Sequence, residues 1–186
     1  YERVTLMKWE YLKAVFLQSG EKTLNSSGFK EFFEANREWL EPYAAYCCLR
    51  DIYETPDFRK WKMYSVFNPD DIAEFCACGN IYYDKVSFYY FVQYHLHIQL
   101  LEVRDYAHAK GIVLKGDIPI GVSRDSVDAW SHPELFYMDS QAGAPPDDFS
   151  VEGQNWGFPT YNWDEMAKDG YAWWKARFRK MAEYFD

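Results

Sequence analysis

Through residues 1–110, apolar positions return mainly at helical spacing. Val4, Met7, Tyr11, Leu12, Val15 and Phe16 share one face of a first helix, which Ser19-Gly20 is expected to end. Asn25-Ser26-Ser27-Gly28 reads as a loop and N-cap region, because short polar side chains accept from the unpaired amides of a first turn. A second helix places Phe29, Phe32, Phe33, Asn36, Trp39 and Leu40 inward. Pro42 lacks an N–H and crowds the preceding turn, so a break is expected near Glu41, with helix resuming from Tyr43 to Ile52 and stopping at Thr55-Pro56. Phe58–Tyr64 shows no clear period. Asn68-Pro69-Asp70 starts another helix reaching Cys76, and Gly79-Asn80 marks a turn. The longest periodic run, Asp84–Lys110, carries Phe88, Phe91, Val92, Leu96, Gln99, Val103 and Tyr106. Its continuously apolar Tyr89–Val92 predicts burial on more than one side.

At Gly111 the period changes. Ile112–Ile120 reads as one buried strand whose tail runs into a loop. A long helix leading into a buried strand is half of an α/β unit. From Asp125 to Tyr161 the chain is rich in Gly, Pro, Asp and Trp, and a loop of that length is usually functional. Asp164–Phe185 predicts one amphipathic helix carrying Met166, Tyr171, Trp174, Phe178 and Met181. The pattern is α/β but mostly helical, with a helical region over 1–110 and a second region over 111–186.

The 186 residues suffice for a domain with a real core but are few for a complete large enzyme. The first residue is Tyr1 rather than Met, and a helical pattern reaches the last without a stop signal, so a piece of a longer polypeptide is expected. No apolar run reaches membrane-spanning length and no signal peptide opens the chain, so no membrane partner is expected. A net charge of −9 repels phosphate-rich partners and argues against nucleic acid, while neutral sugars are indifferent to it. Aromatic residues make up 20% of the chain, with 16 Tyr and 8 Trp. Such rings suit the apolar faces of sugars, but composition alone favours a Tyr- and Trp-rich core. Cys47-Cys48 and Cys76-x-Cys78 are spaced for neither a disulfide nor a zinc knuckle and read as buried free thiols of a reducing compartment. No cofactor or metal is called for; His95 and His97 point to different helix faces, and His132 before a proline reads as structural. Asn25-Ser26-Ser27 matches a glycosylation sequon, a tripeptide common by chance.

Chemistry enters with Gly116-Asp-Ile-Pro-Ile120, then Asp125-Ser126, then Trp130-Ser-His-Pro-Glu-Leu-Phe136. These resemble glycoside hydrolase family 77, the amylomaltases or disproportionating enzymes. The match continues through Ala144-Pro-Pro-Asp-Asp-Phe-Ser150, Gly153-Gln-Asn-Trp-Gly157, Pro159-Thr-Tyr161 and Gly170-Tyr-x-Trp-Trp-x-x-Arg177, and upstream includes Phe91-Val-Gln-Tyr94. Asp148 stands where the family usually has Tyr, and Phe158 where it often has Asn. Gly-Gln-Asn-Trp-Gly-Phe-Pro is similar to the larger, cytosolic branch, which acts on maltose and branched glucans.

The resemblance implies a partial (β/α)8 TIM-barrel segment over 111–186 beside a helical subdomain. It implies a retaining 4-α-glucanotransferase acting on maltooligosaccharides and other α-1,4-glucans in the cytoplasm. The catalytic carboxylates of the family come from strands after the matched region, so none is assigned here and the chain alone is expected to be inactive. The substrate-binding residues it implies are Asp125, Asp147, Phe149, Gln154 and Trp156. Asp125 has two readings: an orienter or partner of the donor sugar, and an Asx cap for a helix starting at Ser126. Trp156 either stacks on a pyranose or only pins its loop, and Tyr161 reads as packing. A non-catalytic carbohydrate-binding module, usually a β-sandwich, and a helical interaction module stand as alternatives. Exposed strand edges of a partial barrel invite self-association.

Overall fold

The computed structural model describes residues 1–186, which form two compact units: Tyr1–Glu54 with Asn68–Glu102, and Thr55–Phe67 with Val103–Asp186. Thr55–Phe67 thus packs with the C-terminal half, although its sequence lies among the N-terminal helices. Seven helices dominate: α1 (Glu2–Leu24), α2 (Ser27–Tyr53), α3 (Pro69–Phe75), α4 (Tyr83–Ala109), α5 (Val127–Ser131), α6 (Trp163–Lys168) and α7 (Ala172–Ala182). None is long and apolar enough to cross a membrane. Two-residue strands β1 (Phe136–Tyr137), β2 (Gly143–Ala144), β3 (Gln154–Asn155) and β4 (Thr160–Tyr161) pair as β1·β4 and β2·β3, both antiparallel. That is no β-sandwich.

In the first unit α4 is the hub. Val86 through Val92 are all buried, as the continuous apolar run predicts. Phe16 of α1 meets Phe88 and Phe91 edge-on with centroids 5.5 and 5.3 Å away, and Trp9 meets Phe88 at 5.8 Å. From α2, Phe29 and Phe32 pack on Tyr94. The expected stop at Ser19-Gly20 does not occur. Gly20 is buried inside α1, and the space a side chain would take there is filled by the Phe16 ring. The packed face of α1 runs through Trp9, Leu12, Phe16 and Gly20, while Val4, Met7 and Tyr11 are exposed. On the second half of α4, Leu96, Val103 and Tyr106 are likewise exposed.

Helix α2 is also continuous, against the break expected at Glu41, and carries Pro42 in its interior. The turns around the proline are held by fully buried Leu40, Ala44 and Ala45, whose packing outweighs about 3 kcal/mol of helix penalty. The caps are as read: Ser26 Oγ accepts from the Phe29 amide, and Asn68 accepts from the amides of Asp70 and Asp71. Cys47, Cys48 and Cys76 are buried free thiols, and burial pushes Cys48 up to about 12 and Cys76 up to about 11; Cys78 is exposed instead.

The second unit has two apolar foci. Trp61 and Trp130 meet edge-on at 5.6 Å, and Phe67 caps Trp130 at 5.0 Å. Their indole N–H groups donate to backbone carbonyls of Thr55 (3.0 Å) and Tyr64 (2.8 Å), so both large rings are buried without an orphan donor. The other focus joins Val122, Leu135, Phe136 and Met166 with Met138, Tyr161, Trp173 and Trp174.

The buried strand expected over Ile112–Ile120 does not form. The segment joins no ladder, and Ile112, Val113 and Ile120 are exposed. A parallel strand is stabilised by neighbours on both edges, and neither two-stranded ladder lies on this segment. It is instead tied to the C-terminal elements. Leu114 N–H donates to the Asp186 carboxylate (2.8 Å), Leu114 C=O accepts from the Asp186 amide (3.0 Å), and Pro119 C=O accepts from Arg177 (2.6 Å). The single C-terminal helix expected over Asp164–Phe185 is two. Gly170 and Tyr171 both take positive φ, 69° and 64°, which breaks the helix, and Asp169 accepts from the Ala172 amide to start α7.

Candidate functional site

Residues 136–161, a loop in the sequence reading, fold into a long irregular hairpin within the second unit. Its base is β1·β4, with Phe136 opposite Tyr161, and its outer ladder is β2·β3, with Gly143 opposite Asn155 and Ala144 opposite Gln154. Asn162 locks the base. Its side-chain oxygen accepts from the Tyr137 hydroxyl (3.0 Å) and the Glu165 amide at the start of α6, while its NH2 donates to Glu134 C=O (3.1 Å). Tyr161 packs against Phe136, Trp173 and Trp174 and donates to Ile120 C=O, a packing role as expected.

The outer ladder needs glycine at position 143. A Cβ there would sit 2.0 Å from the Gln154 carbonyl oxygen, far inside contact distance. At the tip, Asp147 Oδ1 accepts from the amides of Phe149 (2.9 Å) and Ser150 (2.7 Å), an Asx-type turn that spends one carboxylate oxygen on the backbone. Phe149 projects from that turn almost wholly exposed, at 97%.

Gln154 in β3 and Trp156 just past its end are joined side chain to side chain. The indole Nε1–H of Trp156 donates to Gln154 Oε1 over 3.0 Å, and Trp156 is 41% exposed. This pairing occupies the amide oxygen and leaves the two NH2 donors of an exposed Gln154 beside a partly exposed indole. Asn155 between them is used internally: it donates to Gln141 (2.5 Å) and accepts from the Gly157 amide. A planar apolar ring beside an oriented amide is suited to a ring with an apolar face and hydroxyl edges.

Asp125 lies before α5, outside the hairpin. Its carboxylate accepts from Arg59 at 2.8 Å, and Arg59 also contacts Asp57 at 2.6 Å. The cap of α5 is Ser126, which accepts from the Ala129 amide, so the Asx-cap reading of Asp125 is not the one realised. The guanidinium of Arg124, next in sequence, reaches into the hairpin. It donates to Gly157 C=O (3.0 Å) and to the carbonyls of Met138 and Ser140. Sequence reading passed over Arg59, Gln141 and Arg124. Only the position of Arg124 beside the Asp125-Ser126 motif hinted at it. His132 is exposed, 3.5 Å from Glu134, a surface contact. The hairpin thus gathers Asp147 and Phe149 at its tip and Gln154 with Trp156 on its arm, while Asp125 is held by Arg59 elsewhere.

A family model described as 4-alpha-glucanotransferase, glycoside hydrolase family 77, matches residues 1–186. The 4-alpha-glucanotransferase DPE2 of Oryza sativa subsp. japonica is 49% identical over 185 residues, covering 100% of this chain and 20% of its own length. The 4-alpha-glucanotransferase of Chlamydia pneumoniae is 34% identical, with 35% of its length covered. In structure, the amylomaltase of Streptococcus agalactiae in complex with acarbose superposes with a TM-score of 0.80 at 27% identity, over 95% of this chain and 37% of that one. The chain spans between a fifth and two fifths of the length of these relatives.

Proposed function

The chain belongs to the 4-alpha-glucanotransferase family, glycoside hydrolase family 77, and on that basis we propose that it supplies part of the glucan cleft of such an enzyme while the catalytic carboxylates lie elsewhere in a longer protein. The observation that carries this reading is the Gln154–Trp156 pair, exposed on one face of a hairpin whose base is rigidly anchored. The indole stacks on a glucose ring of an α-1,4-glucan, and the Gln154 NH2 donates to hydroxyls at its edge. Phe149 adds apolar surface at the tip, Asp147 shapes that tip, and Asp125 with Arg59 orients the floor of the site.

The whole protein is a retaining transferase. One carboxylate attacks the anomeric carbon as another protonates the departing glycosidic oxygen. The same acid, now a base, takes the proton of an acceptor sugar hydroxyl as that oxygen displaces the carboxylate. In the longer protein Ile112–Leu114 joins a (β/α)8 barrel; within this chain Leu114 meets Asp186 through one backbone bond and one bond to its side-chain carboxylate. Three buried thiols and the absence of a disulfide among four cysteines suit a cytoplasmic location.

The test uses two preparations. Full-length protein should convert maltotriose to glucose and longer glucans, and the 186-residue chain should not. Calorimetry on the full-length protein with maltooligosaccharides should show binding that Trp156→Ala weakens. Unchanged affinity in that variant removes the cleft reading, and glucose release by the chain alone removes the claim about the carboxylates.

A further inference from the structure

We propose that Arg124 is a positioning residue that holds the hairpin in its glucan-receiving shape. This rests on the reading that Gln154 and Trp156 face sugar, and the experiment below separates the two claims.

The hairpin's two ladders are not continuous. Between β1·β4 and β2·β3 lie Met138–Ala142 on the outgoing limb and Trp156–Pro159 on the return. Two backbone bonds cross there: the Ala142 amide to Phe158 C=O (2.8 Å) and the Trp156 amide to Ala142 C=O (3.0 Å). The carbonyls of Met138, Ser140 and Gly157 in the same gap accept from one guanidinium. Arg124 Nη1 serves Met138, Nη2 serves Ser140, and Nε serves Gly157. All three bonds go to carbonyls rather than to a carboxylate, and they grip both limbs at once. A planar fork of five donors can do this; a point charge cannot.

The grip is placed where it sets the binding face. Gly157 follows Trp156 directly, and its left-handed backbone (φ 72°) is fixed from the carbonyl side by Arg124 and from the amide side by Asn155. The peptide after Gly157 therefore cannot rotate without losing an ion–dipole contact, and the one before it cannot without losing its bond to Asn155. At its other end Arg124 springs from a rigid root, between buried Val122 and the Ser126 cap of α5. The side chain carries the orientation of the core across to the arm that bears Gln154 and Trp156, without touching sugar itself.

The experiment is made on full-length enzyme containing this chain, with Arg124→Ala, Arg124→Lys and, as a separate probe of the sugar face, Gln154→Ala. Hydrogen exchange of the hairpin amides and steady-state kinetics with maltooligosaccharide donors are read together. The expected result for Arg124→Ala is faster exchange at Ala142 and Trp156 and a KM raised on the order of tenfold, with kcat within about twofold. Arg124→Lys should not restore either, whereas added guanidinium ion at millimolar level should partly restore KM in Arg124→Ala. Should the alanine variant fail to fold, the lysine variant carries the same readouts. Unchanged hairpin exchange in both variants overturns the proposal, as does a loss confined to kcat. Faster exchange with KM unchanged, and no effect of Gln154→Ala, instead overturns the sugar-facing reading and leaves Arg124 as a brace.

Discussion

Trp156 donates its indole N–H to the side-chain oxygen of Gln154, two residues earlier in the return limb of the hairpin. The two side chains therefore form one surface rather than two. Replacing either by Ala in the full-length protein is expected to cost about 1–2 kcal/mol of glucan binding. The double variant should cost less than the sum by roughly 0.5–1 kcal/mol, because the first change already frees its partner. Calorimetric affinities for a maltooligosaccharide would measure the cycle; strict additivity would show that the two contact sugar independently.

Gly143→Ala should open the outer ladder. The added methyl meets the Gln154 carbonyl oxygen, which belongs to the backbone and cannot swing aside. The expected effect is local. Amide exchange at Ala144 and Asn155 should accelerate, glucan affinity should fall at least as far as in Trp156→Ala, and the melting temperature should move little. A variant with native exchange and affinity would show that the hairpin accommodates the methyl.

Gly20→Ala should destabilise the helical unit even though alanine gains about 1 kcal/mol of intrinsic helix propensity. Its Cβ would lie 2.5 Å from Cδ2 of Phe16, a ring already wedged against Phe88 and Phe91. Overpacking of this kind costs about 1–3 kcal/mol, so the net change is a loss of about 1 kcal/mol. Urea midpoints would show it, and Phe16→Leu in the same background should recover part of it.

Acid should weaken the protein through His95. Burial holds this imidazole below its ordinary value, and its Nε2 is enclosed without a hydrogen-bond partner. The unfolded chain then takes up the proton first as the pH falls. Stability is full above about 6.5 and declines below it, until the folded group is protonated as well. His95→Phe should flatten this part of the profile. Equal losses in wild type and variant between about pH 7.5 and 5.5 would assign the acid sensitivity elsewhere.

Much of the helical architecture can be read from spacing, because Phe88, Phe91 and Val92 or Phe29, Phe32 and Leu40 repeat at intervals that only a helix brings together. The misreadings share a cause. Ser19-Gly20 and Pro42 look like stops locally, yet both sit where packing decides, against Phe16 in one case and beside Leu40 and Ala44 in the other. Ile112–Ile120 has the composition of a strand, but a strand is completed by partners distant in sequence, and here its bonds run to Ala107, Tyr161, Arg177 and Asp186 rather than to a neighbouring strand. In the candidate site, Gln154 and Trp156 could be picked out by their motif. Their mutual bond, the Asx turn of Asp147 and the reach of Arg124 depend on a hairpin register that no short pattern encodes.

One amide side chain, that of Asn162, ties the foot of the hairpin to the first turn of α6 and to the carbonyl of Glu134. Three stretches of chain thereby share a single hub, and a change in length near it would break all three at once. The tip from Pro145 to Glu152 has no such obligation. Insertions and deletions among related glucanotransferases should collect there, letting the family alter how far the arm reaches without disturbing the angle at which it leaves the body.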